Sequence, residues 1–133
     1  GDPSYDLEWQ YLTQMKFLVD SGMVDFVDAN HIFSDEIKFI PTPGHDVGMV
    51  GFLIESKGDS AFIGSDFLHH PLQMTQKNVT AGIDFDTDVS SDTRTKILEW
   101  LADTNTIFFA SHAAGDYAYF VTKMEDGTYR LIK

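Results

Sequence analysis

The hydrophobic pattern begins with an amphipathic stripe near the amino terminus. Its apolar positions recur at the three- and four-residue spacing of a helix and comprise Leu7, Tyr11, Met15 and Leu18. Gly22 follows the stripe at a place where a residue in the left-handed conformation often ends a helix. The pattern therefore predicts a helix over residues 6–21.

Shorter apolar runs along the rest of the chain predict strands. These runs cover residues 23–27, 37–41, 49–55, 60–64, 106–111, 117–123 and 128–132. Turn-like sequences at residues 56–59 and 124–127 join two pairs of these runs. We expect each of the two pairs to form an antiparallel hairpin.

A second helix and a long irregular segment interrupt the strand pattern. The helix is predicted to begin at Ser90 or Ser91, either of which suits an N-cap, and to end at Asp103. The segment from Phe67 to Val89 is longer than most connections in a compact domain. Segments of this length without regular structure are usually functional.

Length and charge limit the expected number of domains and the classes of partner. The chain has 133 residues, 43% of them hydrophobic, and we expect a single domain over residues 1–133. Its 21 acidic residues outnumber the 9 Lys and Arg residues and give a formal charge of -12. Such a chain repels phosphate backbones and anionic lipids, so neither nucleic acid nor a membrane is expected as a partner.

Cysteine is absent, which excludes a disulfide framework and thiolate metal ligands. No apolar run approaches the roughly 18 residues of a membrane span, and the first residues do not resemble a signal peptide. We therefore expect a soluble chain whose compartment the sequence leaves undetermined. The missing initiator Met suggests that the natural protein begins further upstream.

Candidate chemistry lies where predicted strands end. His45, Asp66 and His112 each come shortly after a predicted strand. Such positions hold polar side chains in place, because the strand fixes the backbone and the loop frees the side chain. Two imidazoles and a carboxylate suit zinc, with manganese and iron as competitors. Spacing alone leaves the question open, since a single histidine at a strand end is more often a surface residue than a ligand.

Three ordered segments resemble the later motifs of metallo-β-lactamase-fold hydrolases. They are Pro-Thr-Pro-Gly-His at 41–45, Gly-Ser-Asp-Phe-Leu-His-His-Pro at 64–71 and Ser-His at 111–112. The His-His-Pro sequence with Gln73, and the acidic segment 84–88, are most similar to the branch containing methyl parathion hydrolase and lactonase-like enzymes. The resemblance implies an α+β fold, half of a metallo-β-lactamase αββα sandwich, with a mostly antiparallel mixed sheet and helices on one face.

The resemblance also implies a role for each matching residue. His45 would bind a first metal, His112 would bind a second, and Asp66 would bridge both metals and act in catalysis. A bridging carboxylate neutralises two cations at once and holds them near the separation that positions a shared nucleophilic water. Zinc is the expected metal, binuclear in the complete site. Gly44 and Gly64 would let the backbone pass close to this site.

The chain departs from the family in one major respect. The family's His-x-His-x-Asp-His motif occurs nowhere in the 133 residues, so only the carboxyl-terminal half of the site is expected. We therefore expect the distal portion of a zinc-dependent hydrolase of ester, lactone or related bonds, inactive alone and acting on a small molecule once completed. After His112, a small Ala-Ala-Gly loop at 113–115 replaces the Pro-rich loop common in the branch.

Half of a sandwich would leave the inner face of its sheet uncovered. Because monomers rarely expose large apolar patches, we expect a homodimer or a higher assembly that buries this face. One alternative is a non-enzymatic, degenerate half-domain that self-associates. Another is a mononuclear iron enzyme, since two histidines and one carboxylate form a facial triad for iron.

Other polar residues are weaker candidates. His69 and His70 are expected in a loop or at a pocket wall rather than as ligands. Asp84, Asp86 and Asp88 resemble a calcium loop only loosely, because the spacing is incomplete and the terminal Glu is missing. They predict a solvated loop that places negative charge at the start of the following helix.

Overall fold

Six strands in the described part of the chain form one mixed sheet in which spatial order follows chain order. The computed structural model describes residues 7–112 and 117–133, so Asp6 and the loop at 113–115 lie outside the described residues. The strands are β1 (Ile37–Pro41), β2 (Val50–Ser56), β3 (Asp59–Ile63), β4 (Ile107–Phe109), β5 (Ala118–Lys123) and β6 (Tyr129–Ile132).

Helices precede the sheet and interrupt it. They are α1 (Leu7–Gln10), α2 (Lys16–Asp20) and α3 (Thr87–Asp103), and a π-helical turn over Tyr11–Met15 joins the first two. The helix predicted over residues 6–21 is thus confirmed in its described part. In the part of the chain that the structure describes, no helix is long and apolar enough to cross a bilayer.

Strand direction in the sheet depends on one crossover. β2 is antiparallel to both β1 and β3, whereas β3 and β4 run parallel. A parallel pair needs a crossover connection, which α3 provides between β3 and β4. As a result β1, β3 and β4 all point in the same direction and end at the same edge of the sheet. The predicted α+β class, with a mostly antiparallel mixed sheet, is confirmed.

The core lies between α3 and one face of the sheet. Phe62 of β3 and Phe108 of β4 are paired in register and are 0% and 1% exposed. They belong to one buried cluster with Leu98 and Leu101 of α3. Full burial of such a side chain contributes roughly 1.5–3 kcal/mol. This contact therefore holds the crossover helix on the sheet and keeps β4 beside β3.

The opposite face of the sheet carries a row of apolar side chains that we call the open apolar face. Its members, paired strand by strand from β1 to β4, are Phe39, Phe52, Ile63 and Phe109. Ile63 is 40% exposed and Phe109 is 39% exposed. Because successive strand residues point to opposite faces, this row lies on the side away from α3.

Both predicted hairpins are confirmed. Lys57 and Gly58 adopt positive φ values of 53° and 90° in the turn between β2 and β3, as a two-residue hairpin turn requires. Gly127 has a φ of 80° in the turn between β5 and β6. There the Asp126 side chain accepts a hydrogen bond from the Thr128 backbone N–H.

The strand predicted over residues 23–27 is wrong. This described segment has no ladder partner, and its side chains Met23 and Phe26 are 74% and 83% exposed. Its composition favours extended structure, but a strand forms only where a neighbour completes its backbone hydrogen bonds.

The predicted start of the second helix is also wrong. α3 begins at Thr87, not at Ser90 or Ser91. The Asp86 side chain accepts hydrogen bonds from the backbone N–H groups of Asp88 and Val89 and so forms the N-cap. Several residues in this stretch can cap a helix, and contacts with distant parts of the chain determine which of them becomes the N-cap.

We expect Gly44→Ala to lower the free energy of unfolding by about 1–3 kcal/mol or more. Gly44 has a φ of 126°, and an added Cβ would lie 2.3 Å from the backbone of Ser90 in α3. Gly82→Ala is the matched control, because nothing lies within 4 Å of a Cβ there. Urea denaturation checks the pair, and equal stabilities for the two variants would contradict the close approach.

Candidate metal centre

Three polar side chains meet at the edge where β1, β3 and β4 end. His45 lies in the loop after β1, Asp66 lies in the 3-10 turn Ser65–Phe67 after β3, and His112 follows β4. The common direction of the three strands brings together residues that are far apart in sequence. The structure thus places the three predicted ligands in one cluster.

Asp66 occupies the centre of this cluster. Its Oδ2 lies 3.8 Å from Nε2 of His45, and its Oδ1 lies 3.1 Å from Nε2 of His112. Each carboxylate oxygen therefore faces a different imidazole. Asp66 and His112 have side chains that are 41% and 46% exposed, whereas His45 is 18% exposed. The His45 flank of the carboxylate is the more enclosed one.

Asp84 orients the ring of His45 through a hydrogen bond with Nδ1. Its Oδ1 lies 2.9 Å from Nδ1 of His45, and its side chain is 0% exposed. Burial raises the pKa of this carboxyl, but hydrogen bonds from His45, Ser90 and Ala81 outweigh burial and leave the pKa below its usual value. An ionised carboxylate only accepts, so His45 donates from Nδ1. The lone pair on Nε2 of His45 is then directed toward Asp66.

His69 is a fourth polar side chain of the cluster. Its ring centroid lies 4.6 Å from that of His45 and 5.0 Å from that of His112. Burial, followed by the charges of His45 and His112, lowers the pKa of His69, while Asp66 and Asp84 oppose this effect. Its Nε2 is buried and has no hydrogen-bond partner. A neutral imidazole of this kind is the form that binds metals.

Gln73 holds the backbone that carries His69. Its Oε1 accepts hydrogen bonds from the N–H groups of His69 and His70 at 2.8 and 3.1 Å. Its Nε2 donates to the carbonyl of Val79 at 3.2 Å, and the same carbonyl accepts a hydrogen bond from Arg94. Gln73 and Arg94 are 3% and 2% exposed. The long segment before α3 is thus fastened by buried polar side chains.

His70 has a different role from its neighbour. Its Nδ1 accepts a hydrogen bond from the backbone N–H of Leu72 and caps the 3-10 turn Pro71–Met74. His70 is exposed, whereas His69 is half-buried. Adjacent histidines therefore divide into a structural cap and a member of the polar cluster.

An open groove borders the cluster on the side of β2. It is lined by His45, Asp46, Gly48, Met49, Ser65 and Asp66. Ser65 is held in a positive φ of 53°, and its hydroxyl donates to the carbonyl of Val50 at 2.7 Å. This strained turn presents Asp66 to the groove, where a small molecule could reach it.

Sequence reasoning missed the contact made by Asp84. The solvated loop predicted there is wrong for this residue, because its side chain is buried against His45. The prediction fits Asp86 and Asp88, which are exposed and lie at the start of α3. The available signal for Asp84 was the family resemblance of segment 84–88, since spacing alone does not pair residues 39 positions apart.

Three solved hydrolases share this fold over part of their length. A scan against protein-family models and a search of curated proteins found no match. The hydrolase AbOPH of the β-lactamase superfamily superposes with a TM-score of 0.82 at 18% identity, over 94% of this chain and 43% of that one. AidC, a dizinc quorum-quenching lactonase, superposes with a TM-score of 0.75 at 21% identity, over 92% of this chain and 46% of that one.

A third structure extends the comparison. An N-acyl homoserine lactone hydrolase with a product bound at its catalytic metal centre matches with a TM-score of 0.56 at 18% identity, over 66% of this chain and 35% of that one. The chain therefore spans less than half the length of each of these three proteins. It has part of the metallo-β-lactamase fold, which confirms the expected resemblance at the level of the fold.

We expect Asp84→Asn to weaken zinc binding roughly 10- to 100-fold, the range for loss of a hydrogen-bond partner behind a metal ligand. The Ala81 N–H donates to Oδ2 of Asp84, so the amide oxygen of an Asn must stay there and its NH2 must face His45. His45 would then accept at Nδ1 and carry its proton on Nε2, away from a ligand's tautomer.

Zinc competition titration and imidazole nitrogen NMR check this result together. Asp86→Asn is the matched control, because Asn caps a helix as well as Asp and this residue lies outside the cluster. An Asp84→Asn protein that keeps both the wild-type affinity and the wild-type tautomer would contradict the assigned role of Asp84.

Proposed function

We propose that this chain, with its partial metallo-β-lactamase fold, is the distal portion of a metal-dependent hydrolase of ester, lactone or related bonds. One observation carries the proposal. Asp66 lies between two imidazoles with each carboxylate oxygen facing one of them, and a buried carboxylate orients the first imidazole. A carboxylate so placed can bridge two cations, with His45 on one and His112 on the other.

The donor set fits zinc. Imidazole nitrogen and carboxylate oxygen are both ordinary zinc ligands, although manganese and iron compete for the same atoms. Bound zinc would polarise a carbonyl and lower the pKa of a water molecule toward neutrality. The dizinc centre of AidC supports this choice of metal.

The protein's own residues account for the rest of the proposed role. Asp84 keeps His45 in the tautomer of a ligand, and Asp66 would supply negative charge to bound cations. The groove beside Asp66 admits a small-molecule substrate. Because the ligands of the His-x-His-x-Asp-His motif are absent from the sequence, we expect no hydrolytic turnover from this chain alone.

Zinc titration of the chain tests the proposal. We expect calorimetry and elemental analysis to find bound zinc in the wild type. Asp66→Ala should lower the zinc affinity at least about tenfold, because removing a ligand should weaken binding no less than removing a hydrogen-bond partner of a ligand. Asp35→Ala is the control, because it removes the same charge from an exposed site. A wild-type chain that binds no zinc would overturn the proposal, and bound iron would favour the mononuclear alternative.

Self-association is a second proposed property, and the open apolar face supports it. Its residues Ile63 and Phe109 are 40% and 39% exposed, and monomers rarely leave large apolar patches in water. We propose that, in the isolated chain, a second copy covers this face through a two-fold contact, in which each copy offers the same patch.

Light scattering after size exclusion should then give twice the mass of one chain. Phe109→Lys should produce a monomer, because two lysines would be buried at the two-fold contact without partners. Leu72→Lys is the control, since Leu72 is similarly exposed at 42% but lies in the Pro71–Met74 turn. A stable wild-type monomer would rule out the dimer.

A further inference from the structure

We infer that His69 is a metal ligand on the His45 side of Asp66, so that this chain alone offers His45, Asp66 and His69 to one divalent transition-metal ion. The inference deepens the proposed function and rests on it. It adds a ligand that neither the sequence motifs nor the strand-end argument predicts. It also separates His69 from His112, which lies on the other flank of the carboxylate.

The donor atoms are close enough to converge on one ion. One ligand atom from each of His45, Asp66 and His69 lies within 4.8 Å of the other two. Around tetrahedral zinc, with donors at about 2.1 Å, donor atoms are about 3.4 Å apart. Binding of an ion would therefore draw the three side chains closer together by rotation about their χ angles.

Ring orientation decides which imidazoles share an ion. An imidazole nitrogen directs its lone pair in the plane of the ring, so two rings bind the same ion only if their planes meet nearby. The ring centroids of His45 and His69 lie 4.6 Å apart and their planes are inclined by 56°, so a lone pair from each ring can be directed at one ion. The rings of His69 and His112 are stacked with their planes 20° apart, and among the described residues His112 does not join His45, Asp66 and His69 as a group of nearby donor atoms. His69 therefore pairs with His45 and not with His112.

The positions of the two Asp66 carboxylate oxygens fit this pairing of His69 with His45 and not with His112. Oδ2 of Asp66 faces His45, while Oδ1 faces His112 at 3.1 Å. One oxygen is thus available to an ion held by His45 and His69, and the other is available to an ion on the His112 flank. The two flanks do not compete for a single donor atom.

His69 also lacks the contacts of a structural histidine. Its Nε2 is buried without a hydrogen-bond partner, which is costly for a polar atom. Meanwhile Gln73 fixes the His69 backbone through a 2.8 Å hydrogen bond. A rigid backbone that presents an unsatisfied imidazole to a carboxylate is the arrangement expected of a ligand.

The experiment uses the 133-residue chain with Zn²⁺ and Co²⁺ alone. X-ray absorption at one equivalent of zinc should find two imidazoles per ion in the wild type and in His112→Ala, but one in His69→Ala. The cobalt visible spectrum should change in the same variant. Zinc affinity should fall at least about tenfold in His69→Ala, the minimum expected from loss of a ligand. His69→Phe, which keeps a ring without nitrogen, should lose the same affinity.

His70→Ala is the matched control, because His70 is the exposed neighbour of His69 and should leave the imidazole count at two. Circular dichroism checks that each variant folds. If His69→Ala and His69→Phe keep two imidazoles and the wild-type affinity, the inference fails while the proposed function stands. If the wild type binds no metal, the proposed function itself fails.

Discussion

The shared direction of β1, β3 and β4 is the constraint on which the polar cluster depends. It follows from the α3 crossover, which makes β4 parallel to β3, and from the packing of Phe62 and Phe108 beneath α3. If β4 ran the other way, His112 would leave the edge occupied by Asp66, by roughly 10 Å for a three-residue strand at about 3.3 Å per residue. The chemistry at the sheet edge thus rests on an apolar contact on one face of the sheet.

Buried polar side chains behind the cluster also fix the shape of the segment before α3. Arg94 donates to the carbonyls of Lys77 and Val79, at 3.3 and 3.0 Å, from an almost fully buried position. Burial lowers the pKa of Arg94, and the negative charge of Asp84 opposes that shift. Such burial is costly unless the groups find partners. Because these partners lie along the segment before α3, their hydrogen bonds give an irregular loop a defined shape.

How much the sequence could predict depends on the range of the interactions. Both hairpins, with Gly58 and Gly127 in their turns, were predictable because residues next to each other determine them. The positions of His45, Asp66 and His112 after strands were predictable for the same reason. Their meeting in space depends on strand direction, which the pattern of apolar residues does not encode.

The wrong predictions also concern features that depend on residues far apart in sequence. Residues 23–27 have the composition of a strand, but strand formation needs a neighbour, and composition does not reveal one. Asp84 was predicted to lie in a solvated loop because the acidic segment lacks the full pattern of a calcium loop, yet its side chain is buried and contacts His45 across 39 positions. The sequence gives His69 and His70 the same expected role, and only the folded loop makes His70 a cap and places the ring of His69 beside that of His45.

The two flanks of Asp66 differ in a way that connects the cluster with the open apolar face. The His45 flank is enclosed and backed by a fully buried carboxylate, whereas His112 is 46% exposed. Ile63 and Phe109 end β3 and β4, the strands that lead into Asp66 and His112. A layer that covers the open apolar face would therefore also remove water from beside the exposed flank. Lower polarity strengthens the attraction between a carboxylate and a cation. Burial of an apolar surface and tighter binding at Asp66 would thus be coupled, although they involve different residues.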